Sequence, residues 1–226
     1  LFFPSLVDAL TLRQLITQTR RLLNDTPYYV PIPKLSDQQI TDYLNEGQDY
    51  IAAFSWSYIN RTTFTLIGAT TEYAVPSTFL SIHRVSLNDV MLKEQTIPAL
   101  DGNGTNWMDD VGKPSYYYLR QDSSTWLGFN PVASITSTGS IKFDYYARPP
   151  PMALDSDVPF QGQIEFTPLH YMLPKFVAYR YYLLAGAENL ANIYAQEFLS
   201  DMQQKVYIFQ RRLNYNPPFQ GTSRRQ

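Results

Sequence analysis

The spacing of apolar residues along this chain changes twice, and that double change limits the folds open to it. From Thr11 to Asn24, Leu12, Leu15, Ile16, Thr19, Leu22 and Leu23 recur at helical spacing, opposite Arg13, Gln14, Arg20 and Arg21. The proline-bracketed TPYYVPIPK cannot continue that helix. A second helix opens at Ser36, which with Gln39 makes a capping box, and runs through SDQQITDYLNEGQDYIAAFSW. Its buried face is expected to hold Ile40, Tyr43, Leu44, Gly47, Ile51 and Phe54. Two such helices on a stiff loop form a hairpin.

From Asn60 to Ala147 the period drops to two. RTTFTLIG sets Phe64 and Leu66 against Thr63, Thr65 and Ile67, and TEYAVPSTFLSIHRVSL and KPSYYYLR keep the strand character. QDSST reads as the turn between SYYYLR and TWLGF, while GSIKFDYYA places Ile141, Phe143 and Tyr145 on one face and Lys142, Asp144 and Tyr146 on the other. An antiparallel region of about five to seven strands is expected. The triple proline Pro149 to Pro151, with Pro159 beyond it, then forms a stiff extended connector. Helix resumes with Thr167 as N-cap and Pro168 at the first helical position, Pro174 kinks or restarts it, and it ends near Gly186. A long helix through Leu190, Ile193, Tyr194, Glu197, Phe198, Val206, Phe209 and Leu213 follows.

Helix, strand, helix in that order predicts an α+β protein: a helical bundle built from an N-terminal hairpin and two C-terminal helices, with an inserted antiparallel β domain and an extended C-terminal arm. The expected divisions are residues 1–58, 59–148, 149–213 and 214–226.

The 226 residues are 44% hydrophobic, enough for a core of ordinary size. No cysteine is present, so disulfides, thiolate metal sites and cysteine nucleophiles are excluded. No apolar run approaches the roughly 18 residues of a membrane span, and the LFFPSLVDAL start, with no basic residue and with Asp8, does not read as a signal peptide. Aromatic residues make up 15% against 17% charged, a balance shared by β-rich cores and by interfaces.

Templates for chemistry fail on residue inventory. His83 and His170 are the only histidines and share no metal-ligand spacing. Nucleophile elbow, phosphate loop and zinc-protease motifs are missing. The Asp109–Asp110 and Asp155–Asp157 pairs fall in turns, where carboxylates usually cap or solvate. Asp101, Asn103, Thr105 and Asp109 imitate a calcium loop, but Asn106 stands where the loop needs glycine and Gly112 where it needs a bidentate glutamate. No catalytic residue, cofactor or metal is expected.

Charge is more informative. Beyond residue 200, Lys205, Arg211, Arg212, Arg224 and Arg225 face a single acid, Asp201, giving net +4 in a chain of net −2, so the remainder carries −6. Arg211 and Arg212 complement a helix C-terminus. Tyr215, Pro217, Pro218, Phe219, Arg224 and Arg225 read instead as an extended arm, aromatics filling pockets and arginines meeting acids.

The order of these parts resembles the head-to-tail connector adaptor, or head-completion, proteins of tailed bacteriophages. TLRQLITQTRRLLND, LSDQQITDYLNEGQDYIAAFSW, TEYAVPSTFLSIHRVSLND, GKPSYYYL, LGFNPVAS, IKFDYYARPPPMALDSDVPF and LHYMLPKFVAYRYYLLAGAENLANIYAQEFLSDM carry the likeness, over roughly residues 11 to 205. The resemblance implies a non-enzymatic virion protein at the neck, assembled in host cytoplasm as a ring of twelve copies. Its partners would be the portal above and a tail or nozzle protein below, with DNA passing through the lumen without sequence-specific binding and no membrane contact. It also implies that the C-terminal segment reaches the portal, which makes Arg211, Arg212, Tyr215, Pro217, Pro218, Phe219, Arg224 and Arg225 the portal interface. The β region is long for a minimal adaptor and reads as an elaboration contacting tail or neighbours. The competing expectation is an aromatic-rich β-sandwich module, minor tail or capsid-decorating, that binds glycans through Trp107, Trp126, Tyr116, Tyr117 and Tyr118.

Overall fold

The computed structural model describes residues 9–25, 34–68, 70–102, 106–134 and 139–212, with side chains as far as Lys205. The chain is α+β and divides into two compact units. One combines the residues up to Ser57 with those from Pro149 onward, and the other is Tyr58–Arg148.

In the helical unit, α1 spans Leu12–Leu22 and α2 spans Asp37–Ser55. The capping box expected at Ser36 and Gln39 is present, and Thr11 with Gln14 makes a second one. The N–H groups of Leu12 and Arg13, which no intrahelical carbonyl can take, donate to the carbonyls of Asp157 at 2.7 Å and Asp155 at 3.2 Å. The proline-rich connector therefore completes the start of α1. It is also stitched to α2. Asn45 exchanges hydrogen bonds with the Met152 backbone at 2.8 and 3.1 Å. Gln48, fully buried, donates to the Pro150 carbonyl at 2.9 Å and accepts from the Phe160 N–H at 3.3 Å.

The expected face of α2 is buried at Ile40, Leu44, Gly47 and Ile51, joined by Thr41, Gln48 and Ala52. Phe54 departs from expectation and is 46% exposed. The cause is the direction of α4 (Leu173–Leu184), whose Leu173 and Phe176 face Gly47 while its Arg180 reaches Glu46 and Tyr43. α4 thus runs away from the last turn of α2.

The helix expected to start at Thr167 does not. Ile164–Met172 is a 3₁₀ segment with Thr167 and Pro168 inside it, and the α-helix begins only at Leu173, with Pro174 in its first turn. Pro168 offers no N–H and disfavours α geometry at Thr167, so tighter turns carry the chain until Pro174 can serve as a helix start. α4 ends as expected, Gly186 adopting φ +70. After it, α5 runs from Glu188 to Arg212.

The second unit holds β1 (Ile59–Leu66), β2 (Glu72–Ala74), β3 (Phe79–Leu87), β4 (Val90–Met91), β5 (Lys93–Glu94), α3 (Ile97–Asp101), β6 (Val111–Gly112), β7 (Tyr116–Gln121), β8 (Thr125–Asn130), β9 (Val132–Ala133) and β10 (Gly139–Ala147). One sheet has the order β1-β10-β3-β4, a second β2-β8-β7-β5, and β6 pairs with β9. The longer strands pair antiparallel as expected, whereas the two-residue β5 and β6 pair in parallel with β7 and β9. Rings join the two larger sheets: Tyr73 lies 5.5 Å from Phe64 and 5.8 Å from Phe129, and Phe64 lies 6.2 Å from Phe143.

β10 does not keep the expected in–out alternation. Asp144 and Tyr146 are buried along with Phe143 and Tyr145. A strand flanked on both sides has its outer face covered by neighbouring side chains, and here Arg61 and Arg84 close over Asp144.

Candidate functional site

α5 connects the helical body to the C-terminal residues, so its seating decides where they start. Ala191, Phe198 and Met202 are buried along it. Phe198 packs 5.2 Å from Phe176 and 5.9 Å from Tyr50, and Tyr194 stacks on Tyr182 at 5.5 Å. Lys175 on α4 pairs with Asp201 at 2.9 Å and Glu197 at 3.2 Å, and the Asp201 carboxylate beside it raises its pKa. At about 1.5 Å per residue the 25 residues of α5 extend about 37 Å.

Arg211 and Arg212 form the last turn of α5. Tyr215, Pro217, Pro218, Phe219, Arg224 and Arg225 lie outside the described residues. A feature that sequence reasoning did not single out sits at the α4–α5 turn, where Leu183, Leu184, Leu190 and Ile193 are all exposed, Leu184 to 70%. The signal was visible as four apolar residues around AGAEN, where a turn would ordinarily be polar.

In the β unit the residues proposed for sugar stacking do not form a platform. Trp107 and Tyr118 are buried against Leu100, their rings 5.1 Å apart edge to face, and the Trp107 Nε1–H donates to Asp101 at 2.7 Å. Burial, with Glu72 nearby, pushes the Tyr118 hydroxyl up to about 12. Tyr117 is buried too, its hydroxyl raised by desolvation and Glu94. Tyr116 and Trp126 stay partly exposed but stand at opposite ends of the β7–β8 ladder, opposite Asn130 and Arg120 respectively.

The outer face of the first sheet carries a charge cluster. Asp144, 4% exposed, accepts from Arg61 Nε at 2.5 Å and Nη2 at 2.9 Å, and from Arg84 Nε at 3.0 Å and Nη2 at 2.8 Å. The Arg61 hydrogen bonds, reinforced by Arg84, hold its carboxyl below the usual range. Both arginines keep solvent-exposed surface.

Of the two histidines, His83 adjoins Arg84 of this cluster. His83 is exposed on β3 with Nδ1 3.1 Å from the Tyr146 hydroxyl. His170 is fully buried and its Nδ1 accepts the Leu10 N–H at 3.2 Å. Among the described residues no three His, Asp or Glu side chains converge on a metal position, and Asn103 to Thr105 of the calcium-like loop lie outside them. Asp157 is a capping group, accepting the N–H groups of Ala153 and Leu154, which lower its pKa.

Residues 10–222 match the model of the SU10 adaptor protein family, a span that takes in most of both units. The chain belongs to this family of phage adaptors. The adaptor is accordingly a structural phage protein and a virion component. A search of curated proteins found no match. The family match includes Tyr215, Pro217, Pro218 and Phe219 and stops short of Arg224 and Arg225. Among the described residues no helix of the adaptor is long and apolar enough to cross a membrane.

Proposed function

We propose that the adaptor closes into a ring of twelve copies beneath the portal, at the neck of the virion. There it seals the packaged head, offers a platform to the tail or nozzle protein below, and lets DNA pass through its lumen during retention and ejection. The family match over residues 10–222 is the observation that carries this reading. Charge distribution supports it: with +4 beyond residue 200 and −6 in the remainder, the body gives phosphates little to hold, so DNA can move without sequence-specific capture.

The arm of residues 214–226 is the portal-docking element. α5 sets its starting point, Arg211 and Arg212 begin the basic stretch, Tyr215 and Phe219 fill pockets beside the stiff Pro217–Pro218 pair, and Arg224 and Arg225 pair with portal acids. A single arm of this size binds weakly. In a ring, each arm after the first binds intramolecularly, so docking becomes cooperative.

Binding of wild-type and Phe219→Ala adaptor to purified portal, measured by interferometry, tests the arm. The loss expected is about 2 kcal/mol per arm, the cost of truncating an aromatic anchor. Unchanged portal binding by that variant, and by a chain ending at residue 213, would sink the docking role.

A further inference from the structure

Four strands end the two larger sheets: β1 and β4 in the first, β2 and β5 in the second. Three of these edges are blunted by shortness, with three residues in β2 and two each in β4 and β5. Where β4 stops, β3 is itself broken by two register shifts against β10 and presents no straight row of backbone groups. β1 has none of these guards. It is eight residues long, contains no proline, and pairs with β10 without a register break from Ile59 to Leu66.

The Ala147 N–H donates to the Tyr58 carbonyl at 2.9 Å, so residues 58, 60, 62, 64 and 66 turn their backbone groups toward β10. Those of Ile59, Arg61, Thr63 and Thr65 point away from the sheet, and among the described residues nothing pairs with them. The lone charge that could keep a second strand off, Arg61, is drawn onto Asp144 across the sheet face. Apolar Ile59 and Ile67, 37% and 59% exposed, stand at the two ends of the row.

This row matches a second copy of itself run in the opposite direction. With Thr63 opposite Thr63, Arg61 meets Thr65 and Ile59 meets Ile67 on each side of the centre. Threonine faces threonine, no like charges oppose, and both apolar ends are covered. Arg61, Thr63 and Thr65 all turn their backbone groups outward, so in this register each copy exchanges N–H···O bonds with the other. Centring the pair on Arg61 instead sets two guanidinium groups opposite each other, and centring it on Thr62 faces Ile59 with Thr65 and leaves Ile67 bare.

We infer that two copies of the adaptor pair antiparallel through β1 about a two-fold axis at Thr63, joining their four-stranded first sheets into one. A two-fold contact of this kind is complete at two copies and cannot repeat around a ring. It is the form the adaptor takes before docking, keeping its one long edge from pairing with stray strands, and it opens as copies enter the ring. The dimer itself does not depend on the ring, because the matching surfaces lie within β1.

Analytical ultracentrifugation of full-length chains over a concentration series tests the dimer, with circular dichroism to check the fold. The Thr63 N–H points outward and its side chain is exposed, so Thr63→Pro removes no internal ladder bond but blocks an added strand. Wild type should dimerise, and Thr63→Pro, with an unchanged spectrum, should do so at least about tenfold more weakly. The chain has no cysteine, so Thr63→Cys and Thr65→Cys each introduce a single thiol for a second readout. Opposed hydrogen-bonded residues lie about 5.5 Å apart at Cα, within disulfide reach, so Thr63→Cys should cross-link to its own copy in oxidised glutathione. The two thiols of Thr65→Cys would lie about 13 Å apart, four strand residues out of register, and should stay unlinked. Wild type that stays monomeric, or Thr63→Pro that dimerises as wild type does, would overturn the contact, and equal cross-linking of the two cysteine variants would overturn its register. Incubation with purified portal separates the dimer from the ring: Thr63→Pro should form rings at least as readily as wild type. Rings from wild type alone would overturn the two-fold contact by assigning the edge to the ring, whereas rings from neither chain, with dimer and cross-link intact, would refute the ring and leave the dimer standing.

Discussion

His170 should make the helical unit acid-sensitive in a window where few other groups titrate. The ring is fully buried, its Nδ1 accepts the Leu10 N–H, and burial depresses its pKa from 6.5 to about 4, outweighing the nearby Pro159 carbonyl that favours the cation. In the unfolded chain the imidazole takes a proton near pH 6.5, while the folded protein refuses it until about pH 4. Between those values the unfolded state binds more protons, so stability falls as pH falls and levels off below about 4. The interval corresponds to about 3 kcal/mol, a large share of the 5–15 kcal/mol that holds a typical domain. Urea unfolding followed at 222 nm between pH 7.5 and 4 should show that loss. In His170→Asn, whose side-chain oxygen can still accept the Leu10 N–H, the curve starts lower because of the smaller side chain but is flatter by about 3 kcal/mol across the window. Parallel losses in wild type and variant would mean that His170 is not the group responsible.

Two further substitutions test how the units are held. Gln48→Ala removes the donor to the Pro150 carbonyl and the acceptor of the Phe160 N–H and should destabilise the helical unit by about 2 kcal/mol, read as a lower urea midpoint at 222 nm; an unchanged midpoint would mean the connector is not held through Gln48. Asp144→Asn keeps the shape but removes the charge between Arg61 and Arg84, and since both arginines are partly exposed the expected loss is only about 1–2 kcal/mol, seen in the tryptophan-fluorescence transition of the β unit.

Much of this architecture was legible because it follows from local rules. The Ser36–Gln39 box, the glycine stop at Gly186 and the inward Phe64 and Leu66 of β1 depend on neighbours a few residues away, and the sequence displays those neighbours. What escaped depends on distant partners. Phe54 sits at the right phase for burial but past the start of α4, and nothing in its own helix says where α4 begins. Asp144 alternates as a solvent-facing residue yet is closed over by arginines 83 and 60 positions away. Thr167 carries the right residue type for a cap, but Pro168 and Pro174 compete to start the helix, and the second wins. Trp107 and Tyr118 could serve either a sugar platform or a core, and tertiary packing against Leu100 decided for the core. The candidate site divides the same way. The basic turn at Arg211 and Arg212 was readable from charge, whereas the exposed leucines at the α4–α5 turn and the open edge of β1 become surfaces only once the fold shows that nothing else in the described chain covers them.

The ring at the portal is best tested by cryo-EM of tailless, portal-bearing heads incubated with the purified adaptor, counting subunits at the unique vertex and tracing residues 214–226. A closed ring of twelve is expected, with each arm lying on the portal and Phe219 in a pocket. A bare vertex, with the adaptor monomeric in solution, would contradict it.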